Sequence, residues 1–301
     1  MSNIKQYKAK NILWMDIVDP TKKDIDDLEK KYKFHELDKE ALLEEYQRAR
    51  VDSYEDYLFL VMHFPKYDVR NKRYVTNEFN IFLSKKYLLS VRYFQSNSID
   101  SMFDSYLKWK VDEDEINTWY ILYDMLDAML DKVFRLLDKF SKDLRSMESV
   151  IFKDAWKDLI SELMIKKRNA ITLKHMLSPQ IQVLKMLELR TNDLFKDEFE
   201  LYFENLIDKL EKISSEILVI QENIESMEDT LKSIFDMQTN TSVKYLTIFS
   251  AFMLPLTLVT WFFWMNLKNV PFDDFMVYAI FCWISVTMIW ILIFLMRSKK
   301  L

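Results

Sequence analysis

Two uncharged apolar runs near the C-terminal end constrain this chain more than any other feature. Tyr245–Met265 and Phe275–Met296 each supply about twenty residues, the length of one bilayer crossing. A helix satisfies its backbone amides internally, and lipid offers them no other partner. The expectation is a membrane hairpin: a first span at 245–265, an external loop at 266–274, a second span at 275–296 and a basic cytoplasmic tail at 297–301. Lys244 precedes the first span and Arg297, Lys299 and Lys300 follow the second, whereas the loop sets Lys268 against Asp273 and Asp274. The positive-inside rule then puts both termini in the cytoplasm and the loop outside, making this a multi-pass protein of the plasma (inner) membrane.

Upstream of the runs the chain is densely charged, and its start, MSNIKQYKAKNILWMD, has no apolar core of signal-peptide length. Residues 1–110 read as an α/β cytoplasmic domain. ILWMDIV (12–18), DYLFLVMHF (56–64) and EFNIFLSKKYLLSVRYF (78–94) are rich in branched and aromatic residues and suit strands. Thr21, after Pro20, is placed to cap a helix, and HELDKEALLEEYQRA suggests another. Residues 111–196 read as a helical region, in which Leu122, Met125, Met129, Val133, Leu136 and Leu137 share one face. A stalk helix is expected at 197–244. There Leu206, Leu210, Ile213, Ile217, Ile220, Ile224, Met227, Leu231 and Ile234 alternate steps of four and three, a heptad seam about four heptads long. Its partner helix could belong to the same subunit or to another.

The heptad helix runs into the first span, and its period continues as a stripe of Asn240, Val243, Thr247, Ser250, Leu254, Thr257 and Trp261. The stripe carries no charge. Two spans cannot enclose water, so a pore would need this stripe from several subunits. Rings of amide and hydroxyl oxygens suit a hydrated cation, and Val243 and Leu254 would form apolar constrictions. The alternative is that Ser and Thr bond their own helix backbone and Asn240 is a stalk residue at the interface.

The net charge of −5 argues against nucleic acid and for cations. Cys282 is the only cysteine, which excludes disulfides and cysteine metal sites within one chain. His35, His63 and His175 lie in separate segments without ligand spacing and read as structural or surface groups. The acidic runs VDEDE (111–115) and DIDDLE (24–29) read as solvated faces. No arrangement for nucleophilic or acid–base catalysis stands out, so no enzymatic chemistry is expected. There is no glycine at all, where average usage predicts about twenty. Chance does not produce this; engineering, recoding or translation with the wrong codon table each would. Turns must use Asn, Asp, Ser and Pro instead, as in YDVRNKRY (67–74) and SPQ (178–180).

The segment NTSVKYLTIFSAFMLPLTLVTWFFWMNLKNVP (240–271) resembles the first membrane helix and loop of CorA-type magnesium transporters, which end in a Gly-Met-Asn signature. The match runs through Asn240, Lys244, Leu246, Thr247, Pro255, Leu256, Thr257, Met265 and Asn266. LWMDIVDPT, EYQRARVDSYEDYLFLVMHFPKYD and FNIFLSKKYLLSVRY resemble the family's N-terminal domain, and YFENLIDKLEKI the start of its stalk helix. The resemblance implies an α+β cytoplasmic domain, a long stalk helix and two C-terminal transmembrane helices, assembled as a homopentamer in contact with membrane lipids. The implied cargo is Mg2+, with cobalt or nickel as lesser ions, passing as a hydrated ion through a pore lined by the first span, with Leu246 and Trp264 added to the stripe. Met265 and Asn266 would form the selective outer mouth, and intracellular Mg2+ would stabilise the closed state.

Departures from the family pattern bear on this reading. Trp264 stands at the signature glycine and Trp261 at an earlier family glycine. A misread codon would explain both, although glycine is also missing at non-Trp sites such as Ser84, which deliberate removal explains better. Asn205 stands where the family commonly has a regulatory Asp, with Asp208 one turn on as the remaining carboxylate for a regulatory metal ion. Two rivals remain: a zinc or other transition-metal transporter of the same superfamily, and a non-conducting coiled-coil scaffold or sensor whose mouth Trp264 blocks.

Overall fold

The computed structural model describes residues 3–9, 12–44, 46–108, 117–151, 156–195, 200–264 and 274–297. Internal contacts divide the chain into two units, Met1–Met227 and Glu228–Leu301.

The first unit is built on a six-stranded sheet of β1 (Asn3–Ala9), β2 (Ile12–Val18), β3 (Arg50–Ser53), β4 (Leu58–Asp68), β5 (Arg73–Leu83) and β6 (Tyr87–Arg92). Its order is β1-β2-β6-β5-β4-β3. Only the β2–β6 pair is parallel, with Asp16 opposite Ser90 and Val18 opposite Arg92. The strands read from the sequence are present. β1 and β3 went unread because they are edge strands: NIKQYKA is polar and lysine-bearing, as an unpaired edge requires, and RVDS is very short.

Without glycine, left-handed backbone falls to other residues, namely Asp19, Lys33 and Lys72 among those described. Lys72 closes the β4–β5 hairpin, where Asp68 Oδ1 accepts from the main-chain N–H groups of Arg70 and Asn71. Lys33 ends helix α1 (Lys22–Tyr32) at φ 56° and ψ 51°, the usual place of a C-terminal glycine. The same helix begins at the expected Thr21 cap, which the structure shows to be a capping box with Asp24.

Helices α1 and α2 (Glu36–Leu43) cover one sheet face through Ile25, Leu28, Ala41 and Leu42, packed on Met15, Ile17, Phe59, Val61, Phe82, Leu89 and Val91. The expected helix through Ala49 stops short. Glu44 is already extended, and the Gln47 main-chain N–H donates to Glu78 Oε2 at 2.7 Å instead of continuing a helix. On the other face Trp14 lies against Phe103 and Tyr106 of α3 (Asn97–Lys108), with ring centroids 4.6 and 5.7 Å apart. Beside it sits an ion pair with no exposure at either side chain. Arg92 Nη2 lies 2.7 Å from Asp16 Oδ2 and 3.0 Å from Asp100 Oδ1.

Next come α4 (Thr118–Glu148), α5 (Trp156–Leu177) and α6 (Gln180–Phe195). The α4 face read from the sequence is buried except at Leu136, which is half-buried. Gln180, the first residue of α6, holds β4 through both main-chain groups of His63, accepting at 2.9 Å and donating at 2.7 Å. The 65-residue α7 (Glu200–Trp264) follows, and then α8 (Asp274–Arg297). Every heptad position from Leu206 to Leu231 is buried within the single chain, and Ile234 is half-buried. One partner is α4: Lys212 stands over the Phe134 ring at 5.5 Å, and Tyr202 meets Trp119 at 5.3 Å.

Candidate ion pathway and regulatory surface

The stripe read from the sequence lies on one uninterrupted helix. At 3.6 residues per turn, Asn240, Val243, Leu246, Thr247, Ser250, Leu254, Thr257, Trp261 and Trp264 occupy an arc of roughly 120° on α7. Ser250 is half-buried and the others are exposed. Exposure alone does not select this face, because Phe249 and Met253 elsewhere on the helix are also exposed. The face mixes hydroxyl and amide groups with apolar residues and has no charge, as is true of every face of the helix from Tyr245 to Trp264. Met265 and Asn266, and Lys268 beyond them, lie outside the described residues.

The threonine hydroxyls of the stripe bond their own helix. Thr247 Oγ1 donates to the Val243 carbonyl at 2.8 Å and Thr257 Oγ1 to that of Met253 at 2.6 Å. Such back-bonding is ordinary helix chemistry, yet it has a directional consequence. With its proton engaged, each hydroxyl offers only lone pairs outward. Water bound to a cation turns its hydrogens outward, so a surface of acceptors matches it. Pro255, inside α7, also leaves the carbonyl one turn back without its usual donor.

Among the described residues, one helix segment, Glu200–Leu258, is long and apolar enough to cross a membrane by length and composition. In α8 the apolar stretch so identified is shorter, Tyr278–Thr287.

Asn205 and Asp208 are both exposed on α7, one turn apart. Tyr123 Oη of α4 lies 3.5 Å from Asn205 Oδ1. The structure adds a neighbour that sequence reasoning missed. Lys209 Nζ bridges Asp127 Oδ1 at 2.5 Å and Asp131 Oδ1 at 2.9 Å. Burial works against that ammonium's charge, but the two carboxylates outweigh it and hold its pKa above the ordinary lysine value. The spacing of Asp127 and Asp131, one turn apart on α4, was the available signal. Within one chain, these residues fit a resident magnesium ion poorly. One amide and one carboxylate are few ligands for a hard dication, and the nearby acidic pair already has a cation in Lys209. Of the acidic runs, VDEDE lies outside the described residues. In DIDDLE, Asp24 serves the capping box, while Asp26 and Glu29 hold Lys39 at 2.8 and 2.7 Å. No group of three or more His, Cys, Asp or Glu side chains among the described residues is placed to hold a metal.

An α+β unit is thus followed by a long helix whose charge-free end is apolar enough to cross a membrane. The chain belongs to the CorA-like Mg2+ transporter protein family, whose model matches residues 9–298. It is 25% identical over 243 residues to the cobalt/magnesium transport protein CorA of Thermotoga maritima, covering 79% of this chain and 68% of that one. The complete structure of the CorA magnesium transporter from Methanocaldococcus jannaschii superposes with a TM-score of 0.81 at 18% identity, covering 97% of this chain and 92% of that chain. The ZntB cytoplasmic domain from Vibrio parahaemolyticus superposes with a TM-score of 0.63 at 13% identity, covering 76% and 89%. Members of this family transport divalent cations and are not catalysts, and Mg2+ is the family's ion.

Proposed function

We propose that this protein is a channel for passive influx of hydrated Mg2+, with cobalt and nickel as lesser ions. The observation that carries the reading is the uncharged, acceptor-presenting stripe of α7 on the same helix as the buried heptad seam. The organisation proposed is a 1–110 α/β domain, a 111–196 helical region, a 197–244 stalk, spans at 245–265 and 275–296, a 266–274 outer loop and a 297–301 inner tail. Both termini are cytoplasmic, and a homopentamer in lipid brings the stripes together. A single first span bearing exposed Leu246, Leu254 and Trp261 needs lipid or other subunits to cover it.

In this reading Met265 and Asn266 form the mouth, where amide oxygens accept from the water that Mg2+ gives up reluctantly. Asn240 is the inner polar ring, and Val243 and Leu254 are the constrictions. Asp208 and Asn205 would take part in a regulatory cation site shared between subunits, weaker than one with two carboxylates. An ion bound only in the closed assembly shifts the population toward closure. A zinc or other transition-metal cargo is the second reading, supported by the likeness of the soluble unit to the ZntB domain. The lack of His and Cys along the stripe favours the hard hydrated ion.

The test is Mg2+ and Zn2+ uptake into proteoliposomes, repeated with Asn266→Ala. The expected result is Mg2+ uptake that the substitution abolishes and that slows as internal Mg2+ rises. No flux of either ion under any condition would instead identify a scaffold blocked at Trp264.

A further inference from the structure

On the sheet face that carries α1 and α2, strand pairing sets His63 opposite Glu78. Both side chains are only 11% exposed. Two N–H donors hold the carboxylate, Asn80 Nδ2 on Oε1 at 2.8 Å and the Gln47 main chain on Oε2 at 2.7 Å. A buried carboxyl group needs partners for its oxygens. Among the described residues no lysine or arginine comes within ion-pair distance of it; the one candidate is His63, with Nε2 4.0 Å from Oε2. Burial lowers the His63 pKa, prevailing over the Glu78 carboxylate and the Gln47 main chain, which raise it. The ring's Nε2 is a buried nitrogen with no hydrogen-bond partner. Asn80 Oδ1, on the same sheet face, is a second buried atom without one.

We propose that Glu78 and His63 hold a divalent ion of the zinc, cobalt and nickel class within the soluble unit. Typical metal–nitrogen and metal–oxygen bonds together span about 4.2 Å, so an ion reaches both atoms across the present gap. Closing that gap by about half an ångström gives a tetrahedral angle. An imidazole beside a carboxylate favours these ions over magnesium. The Gln47 main-chain N–H and the Asn80 amide on the carboxylate are outer contacts of the kind that fix ligand orientation in metal sites. Water completes the coordination, with Asn80 Oδ1 as an acceptor for it. A cleft of about 490 Å³ lined by Glu44, Tyr46, Thr76, Asn77 and Tyr93 opens onto Glu78 and supplies the entry path. The site does not depend on the proposed transport reading, since none of its residues lies on the α7 stripe.

Full-length protein in detergent, stripped by chelator, is titrated with Zn2+ by calorimetry and with Co2+ by visible absorption. The expected result is one ion per chain, with affinity falling at least about tenfold in Glu78→Gln and His63→Gln. X-ray absorption of the zinc-loaded parent chain should show one imidazole among oxygen ligands, a readout that needs no variant to fold. A water bridging His63 and Glu78 is the competing occupant. It is the answer if the parent binds neither ion saturably, if Glu78→Gln binds as well as the parent, or if the zinc shell lacks imidazole. Any of these overturns the site.

Discussion

Replacing Arg92 by Met tests whether the parallel β2–β6 junction depends on a matched buried charge. Arg92 Nε contacts both Asp16 oxygens at 3.2 Å, Nη2 reaches Asp16 Oδ2 at 2.7 Å, and Nη1 donates to the Phe94 carbonyl at 2.8 Å. Without the guanidinium, Asp16 keeps only the Ser90 hydroxyl at 2.8 Å and remains fully buried. An uncompensated buried charge of this kind costs about 3–5 kcal/mol. At about 2–4 °C per kcal/mol for a unit of this size, the unfolding midpoint should fall by roughly 10 °C. The penalty belongs to the orphaned carboxylate, so Asp16→Leu with Arg92→Met should recover most of the loss. Thermal unfolding of the full chain, parent against single and double variants, measures both effects. A single variant weakened by less than about 1 kcal/mol, or a double variant as weak as the single, would refute the reasoning.

Asp100 gives the pH dependence. Burial opposes its charge, but the bonds from Lys5 and Arg92 prevail and lower its pKa. The unfolded carboxyl titrates near about 3.9, so its stabilisation is complete above that pH and is lost as pH falls through the lower folded value; Asp100→Asn should flatten the acid limb of stability against pH. Lys33→Gly should raise stability by about 1 kcal/mol, because a side chain is penalised in left-handed backbone and glycine is not; an unchanged melting midpoint would count against strain there. Trp264→Gly should raise Mg2+ flux in proteoliposomes if the indole crowds the mouth. Intact mass of the native protein decides whether tryptophan stands at 261 and 264, and masses fitting Trp at both exclude a misread codon.

Much of this molecule was determined by its sequence alone, because the interactions concerned are local. The heptad on α7, the apolar face of α4, the Thr21 cap and the apolar runs each follow from spacing along one element. The α7 stripe was legible for the same reason, although the sequence did not say which way the threonine protons point. Only the tertiary structure decided what depends on pairing between distant segments. It placed β1 and β3 at the edges and ended α2 early so that Gln47 could reach Glu78. It put the heptad's burial within one chain and set Lys209 between two carboxylates of α4. It also turned His63, unremarkable along the chain, toward Glu78. A strand's register with its neighbour is fixed by the whole sheet and its covering helices, and no spacing within either strand encodes it.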